Sequence, residues 1–259
     1  MRGLDQKICV IAGAAPGNIG AATAHRLSSE GAIVVVADLN SAAAQAVADE
    51  IKAKDGHAIA GQVDISSESS FEELLKRTAR DLGGLDHLFN VAADLSANTM
   101  GRDSSSDVTT VPIEVWKRTI DVTLSGYMYG TRHALPLMFA RGSGSIVNMM
   151  SATAWLGESV RVSYASAKAG VAALTRHTAT IGGKRGVRCN AVAPGPVLTE
   201  ALLRAMPDAE REKMLSDIPS HRLGKPEDIA ALIAFLFSDD GEWINGQIIS
   251  IDGGLTKRA

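Results

Sequence analysis

Short apolar runs recur along the chain with stretches of helical pattern between them. This alternation constrains the fold more than any other feature. The runs lie at 7–12, 32–37, 57–63, 85–91, 145–150, 187–192 and 247–251. Helical patterns fall over 19–30, 41–54, 67–82, 112–141, 164–182, 199–215 and 226–237. Runs such as Ile8-Cys9-Val10-Ile11 are apolar throughout rather than alternating, which requires cover on both faces of a sheet. The pattern predicts an α/β chain with a Rossmann-like, doubly wound parallel sheet of seven strands and helices on both faces. No repeat or linker divides it, so 1–259 reads as a single domain. Pro112 and Glu114 suit the first turn of the long helix over 112–141, and Pro136 is expected to bend its last turns. The serine-rich stretch 94–111, DLSANTMGRDSSSDVTTV, reads as a flexible loop or an insertion on the substrate side. A second substrate-side segment is expected over 194–215.

Composition excludes several classes. A chain of 259 residues, 46% of them hydrophobic, can bury a large core. Its net charge of −3 argues against nucleic acid or an anionic membrane as partner. No apolar run reaches the ~18 residues of a membrane span. The N-terminus runs directly into a strand with no leader pattern, so the expected compartment is the cytoplasm. Cys9 and Cys189 sit in strand runs and read as buried free thiols, not a disulfide or metal site.

The first strand is followed by AGAAPGNIG, with glycines at 13, 17 and 20. In a doubly wound fold this turn receives a dinucleotide's phosphates at the helix N-terminus. Gly17 and Gly20 satisfy the last two positions of G-x-G-x-x-G, but Ala15 stands at the first-pair position; Ile19 likewise interrupts the longer-spaced pattern that begins at Gly13. Asn18 is the non-glycine type best tolerated at positive φ, so the loop keeps the flexibility required. The second strand ends in VVVADLN. Asp38 therefore lies about 20 residues beyond the loop, where an acid bonds a ribose 2′-hydroxyl and repels a 2′-phosphate. Leu39 and Asn40 follow it, with no Arg or Lys adjacent. Asn40 or Ser41 can cap the next helix without Asp38. The expected cofactor is NAD rather than NADP.

The sharpest motif is YASAK, from Tyr164 to Lys168. Residues four apart on a helix share a face. Ser151 ends the strand before that helix. A phenol with a pKa near 10 is a poor base at neutral pH, and a neighbouring ammonium lowers that pKa. Lys168 is expected to act this way on Tyr164, with the Ser151 hydroxyl orienting a substrate oxygen.

Together these features resemble the short-chain dehydrogenase/reductase family over nearly the whole chain. The matching pieces are the glycine loop 13–20, Asp38, VDIS with Asp64, NVAA from Asn90, and the Ser151, Tyr164 and Lys168 set. NAVAPGPVLT at 190–199, RLGKPEDIA at 222–230 and GQIISIDGG near the end complete them. The resemblance implies further roles. Asp64 and Ile65 would flank the adenine, Asn90 would support the sheet edge near the cofactor, and Ala92 would be a further cofactor-binding residue. Pro194, Gly195, Val197 and Thr199 would cover the nicotinamide, and Lys168 would also hold its ribose. A homotetramer is implied too, built on the helices at 112–141 and 164–182.

Two departures stand out. The glycine loop is one residue longer than the family's usual spacing. Thr123, in DVTLSG, stands where the family usually has an Asn that anchors a water relay through Lys168. Thr123 is thus a candidate fourth member of the catalytic set.

The expected activity is hydride transfer between NAD(H) and a secondary alcohol or ketone. Met149, Met150, Ala152, Trp155, Leu156, Leu202 and Met206 stand near the expected substrate mouth, with Glu158 and Arg161 as rim. The mostly apolar set suggests an alicyclic, aromatic or steroid-like small molecule. The alternatives are a 3-oxoacyl-carrier-protein reductase and a non-catalytic NAD-binding regulatory protein.

Overall fold

A computed structural model describes residues 1–257. Its seven strands form one parallel sheet in the order β3-β2-β1-β4-β5-β6-β7. They are β1 (Ile8–Ala12), β2 (Ile33–Asp38), β3 (His57–Gln62), β4 (His87–Asn90), β5 (Gly144–Met149), β6 (Val187–Pro194) and β7 (Ile248–Ile251). The α/β, doubly wound expectation holds. Every residue of β1 and β4 is buried, as central parallel strands require. The outer strand β3 mixes buried and exposed positions instead. Chain order reverses between β1 and β4, with Ala12 paired to both Ala37 and Asn90. Crevices for ligands form at such a switch point, at the carboxyl ends of the strands.

Helices α1 (Ile19–Ser29) and α2 (Ser41–Lys52) follow the first two strands, and α10 (Pro226–Phe237) packs against α1. The other face carries α3 (Glu68–Leu82), α5 (Gly126–Arg141) and α7 (Val162–Gly182). Side-chain caps start several helices: Asn18 accepts from the Ala21 N–H, Asn40 from Ala43, and Ser67 from Ser70.

The expected helix over 112–141 is three pieces. Pro112 is the cap, α4 runs Ile113–Ile120, a π turn covers Asp121–Ser125, and α5 continues to Arg141. The irregularity lies in the π turn, and the helix continues through Pro136. A Cβ at Gly126 would come within 2.6 Å of the Ile65 carbonyl oxygen, and one at Gly130 within 2.6 Å of Phe71. These two glycines let the helix press onto α3 and the turn after β3.

Two other expectations change. The helix expected over 199–215 divides into α8 (Glu200–Ala205) and α9 (Asp208–Ser216). Pro207 forces Met206 into extended geometry, with φ −122° and ψ 118°, and ends the first piece. The stretch 94–111, expected as a flexible loop or a substrate-side insertion, has ordered local structure. It holds a π turn at Ala97–Gly101 and several hydrogen-bonded turns, and buries Thr99 and Asp103. A short helix, α6 (Thr153–Leu156), was not legible in the apolar pattern. Among the described residues, no helix is long and apolar enough to cross a membrane.

Candidate functional site

A cleft crosses the carboxyl ends of the central strands. Asp38 and Leu39 line one end, Gly13, Asn18 and Ile19 the middle, and Ser151, Tyr164 and Lys168 the other end. Asp64, Ile65 and Ala92 line it as well, as do Pro194, Gly195, Val197 and Thr199.

The glycine loop owes its path to positive φ at Gly13 (110°) and Gly17 (70°). A Cβ at Gly20 would lie 2.1 Å from the Gly13 carbonyl oxygen, so only glycine lets α1 start so close to β1. Asn18 does not use a left-handed conformation. Its φ is −115° and it serves as the N-cap of α1. Gly17 does not line the cleft; Glu200 lies over it, and the Glu200 N–H donates to the Gly17 carbonyl at 3.0 Å.

Asp38 is not the cap of α2, because Asn40 fills that role. The Asp38 Oδ1 accepts the Asn40 N–H at 3.0 Å, which fixes the carboxylate at the cleft's end. Asp64 accepts from the Ser66 N–H and hydroxyl at 2.9 and 2.6 Å. Arg118 also lines the cleft, donating to Asp94 Oδ2 and Ser66 Oγ, each at 3.0 Å. Burial opposes ionisation of Asp94, but hydrogen bonds from Ser96, Arg118 and Thr99 hold its carboxyl below the usual range. Arg118 lies inside the long helical pattern, and nothing in the sequence separates it from a surface arginine. Asn90 is behind the cleft wall rather than in it, donating to Asn148 Oδ1 at 2.9 Å.

At the other end, Lys168 is fully buried. Its Nζ donates to the Met149 carbonyl at 2.6 Å and to the Tyr127 hydroxyl at 3.1 Å. The same Nζ is 5.5 Å from the Tyr164 ring centroid. Burial pushes the Lys168 ammonium down to about 7. Burial also raises the Tyr164 phenol; a hydrogen bond from Ser151 and the charge of Arg161 oppose this without overcoming it. The net direction for Tyr164 is therefore upward, opposite to the lowering expected from Lys168, because desolvation acts against the charged form of both groups. Thr123 is buried in the π turn and, among the described residues, makes no hydrogen bond to Lys168.

Helix α7 begins unusually. Arg161 precedes it at φ 62° and no side chain of its own caps it. Asp103 does so from the stretch 94–111, accepting the N–H groups of Ser163 at 3.2 Å and Tyr164 at 2.9 Å. Its own carbonyl accepts the Arg161 N–H at 3.0 Å. No local spacing rule links positions 103 and 164.

Of the expected substrate residues, Met150 is buried and lines the cleft; Trp155 packs against the small cluster of Met150, Ala172, Ala191 and Ala193 and does not line the cleft. Ala152 is buried, while Leu202 and Met206 are half-buried on and after α8; none of these three lines the cleft. Thr199 caps α8, its Oγ1 accepting the Leu202 N–H at 3.2 Å.

A switch-point cleft with a glycine turn, an acid after the second strand and a Tyr–Lys helix defines a class of α/β oxidoreductases. A family model described as enoyl-(acyl carrier protein) reductase matches residues 13–256. The 7alpha-hydroxysteroid dehydrogenase of Bacteroides fragilis is 36% identical over 256 residues, covering 99% of this chain and 96% of that one. The cis-4-hydroxycyclohexanecarboxylate dehydrogenase of Sinomonas cyclohexanicum is 38% identical, covering 97% of each. A solved 7 alpha-hydroxysteroid dehydrogenase, complexed with NADH and 7-oxo glycochenodeoxycholic acid, superposes with a TM-score of 0.89 at 34% identity, covering 97% of this chain and 94% of that one. The chain belongs to the short-chain dehydrogenase/reductase family.

Proposed function

We propose that this protein is an NAD-dependent dehydrogenase that interconverts a secondary alcohol and its ketone, with an alicyclic, aromatic or steroid-like small molecule as substrate. The observation that carries this reading is the layout of the cleft. A carboxylate stands at one end, a glycine turn at a helix N-terminus in the middle, and a hydroxyl, a phenol and an amine at the other. That donor set fits a dinucleotide, with Asp38 on the ribose and the start of α1 at the phosphates. The relatives are named for cyclic alcohols and steroids, and the solved relative holds NADH.

Bound NAD(H) supplies the hydride chemistry. Ser151 orients the substrate oxygen. Tyr164 exchanges the proton at its Oη with that oxygen. With its pKa raised, Tyr164 is protonated at neutral pH and can donate to a ketone oxygen as it stands. Alcohol oxidation needs the proton removed and so rises with pH. Lys168 fixes the geometry behind Tyr164 from its buried position. Met150 supplies apolar contact on the substrate side, and Trp155 packs against its cluster. A homotetramer is part of the same reading; Ile113, Met128 and Ile181 are exposed apolar residues on the helices expected to pair.

The test is turnover of a panel of cyclohexanols, aryl carbinols and hydroxysteroids with NAD and with NADP. NAD-linked oxidation of at least one member is expected. No turnover across the panel with either cofactor would count against the assignment.

A further inference from the structure

We propose that Tyr127 is the positioning residue for Lys168, taking over the anchoring that the residue at 123 does not provide. The inference rests on the function proposed above and deepens it. Tyr127 is fully buried at the start of α5, one helical turn after Thr123. Its hydroxyl accepts a hydrogen bond from Lys168 Nζ at 3.1 Å and donates its own to the Ala92 carbonyl at 3.1 Å. Lys168 Nζ also lies 4.9 Å from the Tyr127 ring centroid, within cation–π range. One phenol thus ties the lysine directly to the segment just after β4, beside the glycine loop.

The geometry has a directional consequence. An ammonium has three N–H donors and no acceptor. Two of them are committed, to the Met149 carbonyl and to Tyr127, which leaves one for the cleft. The Tyr127 proton in turn points to a backbone carbonyl, which takes no proton onward. Tyr127 therefore holds Lys168 but ends the path behind it.

Few other groups bear on this ammonium. From its own helix it faces Tyr164, and from α5 Tyr127. From β5, among the described residues, comes the Met149 carbonyl. Glu158 and Arg161 act on Tyr164, and Asp103 caps the start of the helix. Burial is what weakens the charged form of Lys168, so each retained hydrogen bond acceptor counts in its favour.

The experiment compares wild type, Tyr127→Phe, Thr123→Asn and the Tyr127→Phe/Thr123→Asn double variant. Tyr127→Phe keeps the ring and deletes only the hydroxyl. The first readout needs no turnover: carbon-13 NMR titration of Cε-labelled lysine, with Lys168 assigned by Lys168→Arg. The low-titrating lysine should move down by about half a pH unit or more in Tyr127→Phe, because an acceptor to the ammonium is gone. The second readout is the pH profile of kcat for alcohol oxidation. The rising limb should shift to higher pH in Tyr127→Phe, with kcat near pH 7 down roughly tenfold and KM for NAD changed less. The double variant should recover part of both effects, since Asn at 123 offers a new acceptor to the lysine. If Tyr127→Phe folds and Lys168 titrates as in wild type, the proposal is overturned. If Tyr127→Phe does not fold, the double variant decides: a wild-type lysine titration and pH profile in it support anchoring from either position, and a folded double variant with no recovery overturns it. If Lys168 shifts as expected but wild type turns over no alcohol, the functional reading fails while the anchoring role stands.

Discussion

The N–H of Tyr164 donates to Oδ2 of Asp103 at 2.9 Å across 61 residues, joining the serine-rich segment after β4 to the head of the Tyr–Lys helix. Ser163 donates to the other carboxylate oxygen at 3.2 Å. Removing this acceptor leaves two N–H groups at a buried helix start without a partner. Asp103→Ala should lower stability by about 1–3 kcal/mol in denaturant unfolding. It should also lower kcat, because the turn that carries Tyr164 loosens. Asp103→Asn keeps an acceptor and should lose much less of both. An alanine variant with wild-type stability would show that the cap contributes nothing.

Asp38 sets the cofactor choice. A 2′-phosphate would face its carboxylate without a positive partner, so NAD should be preferred over NADP by at least ~1–2 kcal/mol, about tenfold or more in kcat/KM. Asp38→Ala should narrow that gap mainly by admitting NADP. Because Asn40 caps α2, the substitution should leave stability nearly unchanged. Equal kcat/KM for the two cofactors in wild type would refute the role.

His87 should make the fold acid-sensitive. Its ring stacks on Phe237 at 4.6 Å, and neither ring nitrogen has a hydrogen-bond partner among the described residues. Burial lowers its pKa from 6.5 to about 3, with the charge of Asp86 opposing. The folded pKa is below the unfolded one, so the unfolded chain binds the proton first. The stability present above pH 6.5 is thus lost as pH falls toward 3. His87→Phe removes this titration and keeps the stacking partner. Its melting temperature relative to wild type should rise as pH drops from 7 to 4; parallel pH curves would rule the mechanism out.

The fold was legible because its signal is redundant. Seven apolar runs and the helical patterns between them each specify a parallel, covered sheet, and Asp38, Ser151, Tyr164 and Lys168 stand at strand ends or on a helix face where spacing can be read. The order within 94–111 was not legible, because serine, aspartate and glycine there form turns and a cap with Asp103 rather than an apolar pattern. Tyr127 was passed over for a different reason. Its position one turn from Thr123 is visible, but whether its hydroxyl meets Lys168 depends on how α5 and α7 cross over β5, which no single element records. The break at Met206-Pro207 was readable from proline alone and was missed in favour of the surrounding helical pattern.

The central claim is that the Tyr164 hydroxyl moves the substrate proton. The most direct measurement is kcat for NAD-linked alcohol oxidation by Tyr164→Phe, beside wild type, with NAD binding measured separately. Phenylalanine keeps the ring packing and removes only the proton-carrying oxygen. Turnover should fall by roughly 10² or more while NAD affinity is retained, and the rise of wild-type oxidation with pH should disappear from the residual rate. A Tyr164→Phe protein that oxidises the alcohol at the wild-type rate would contradict the mechanism.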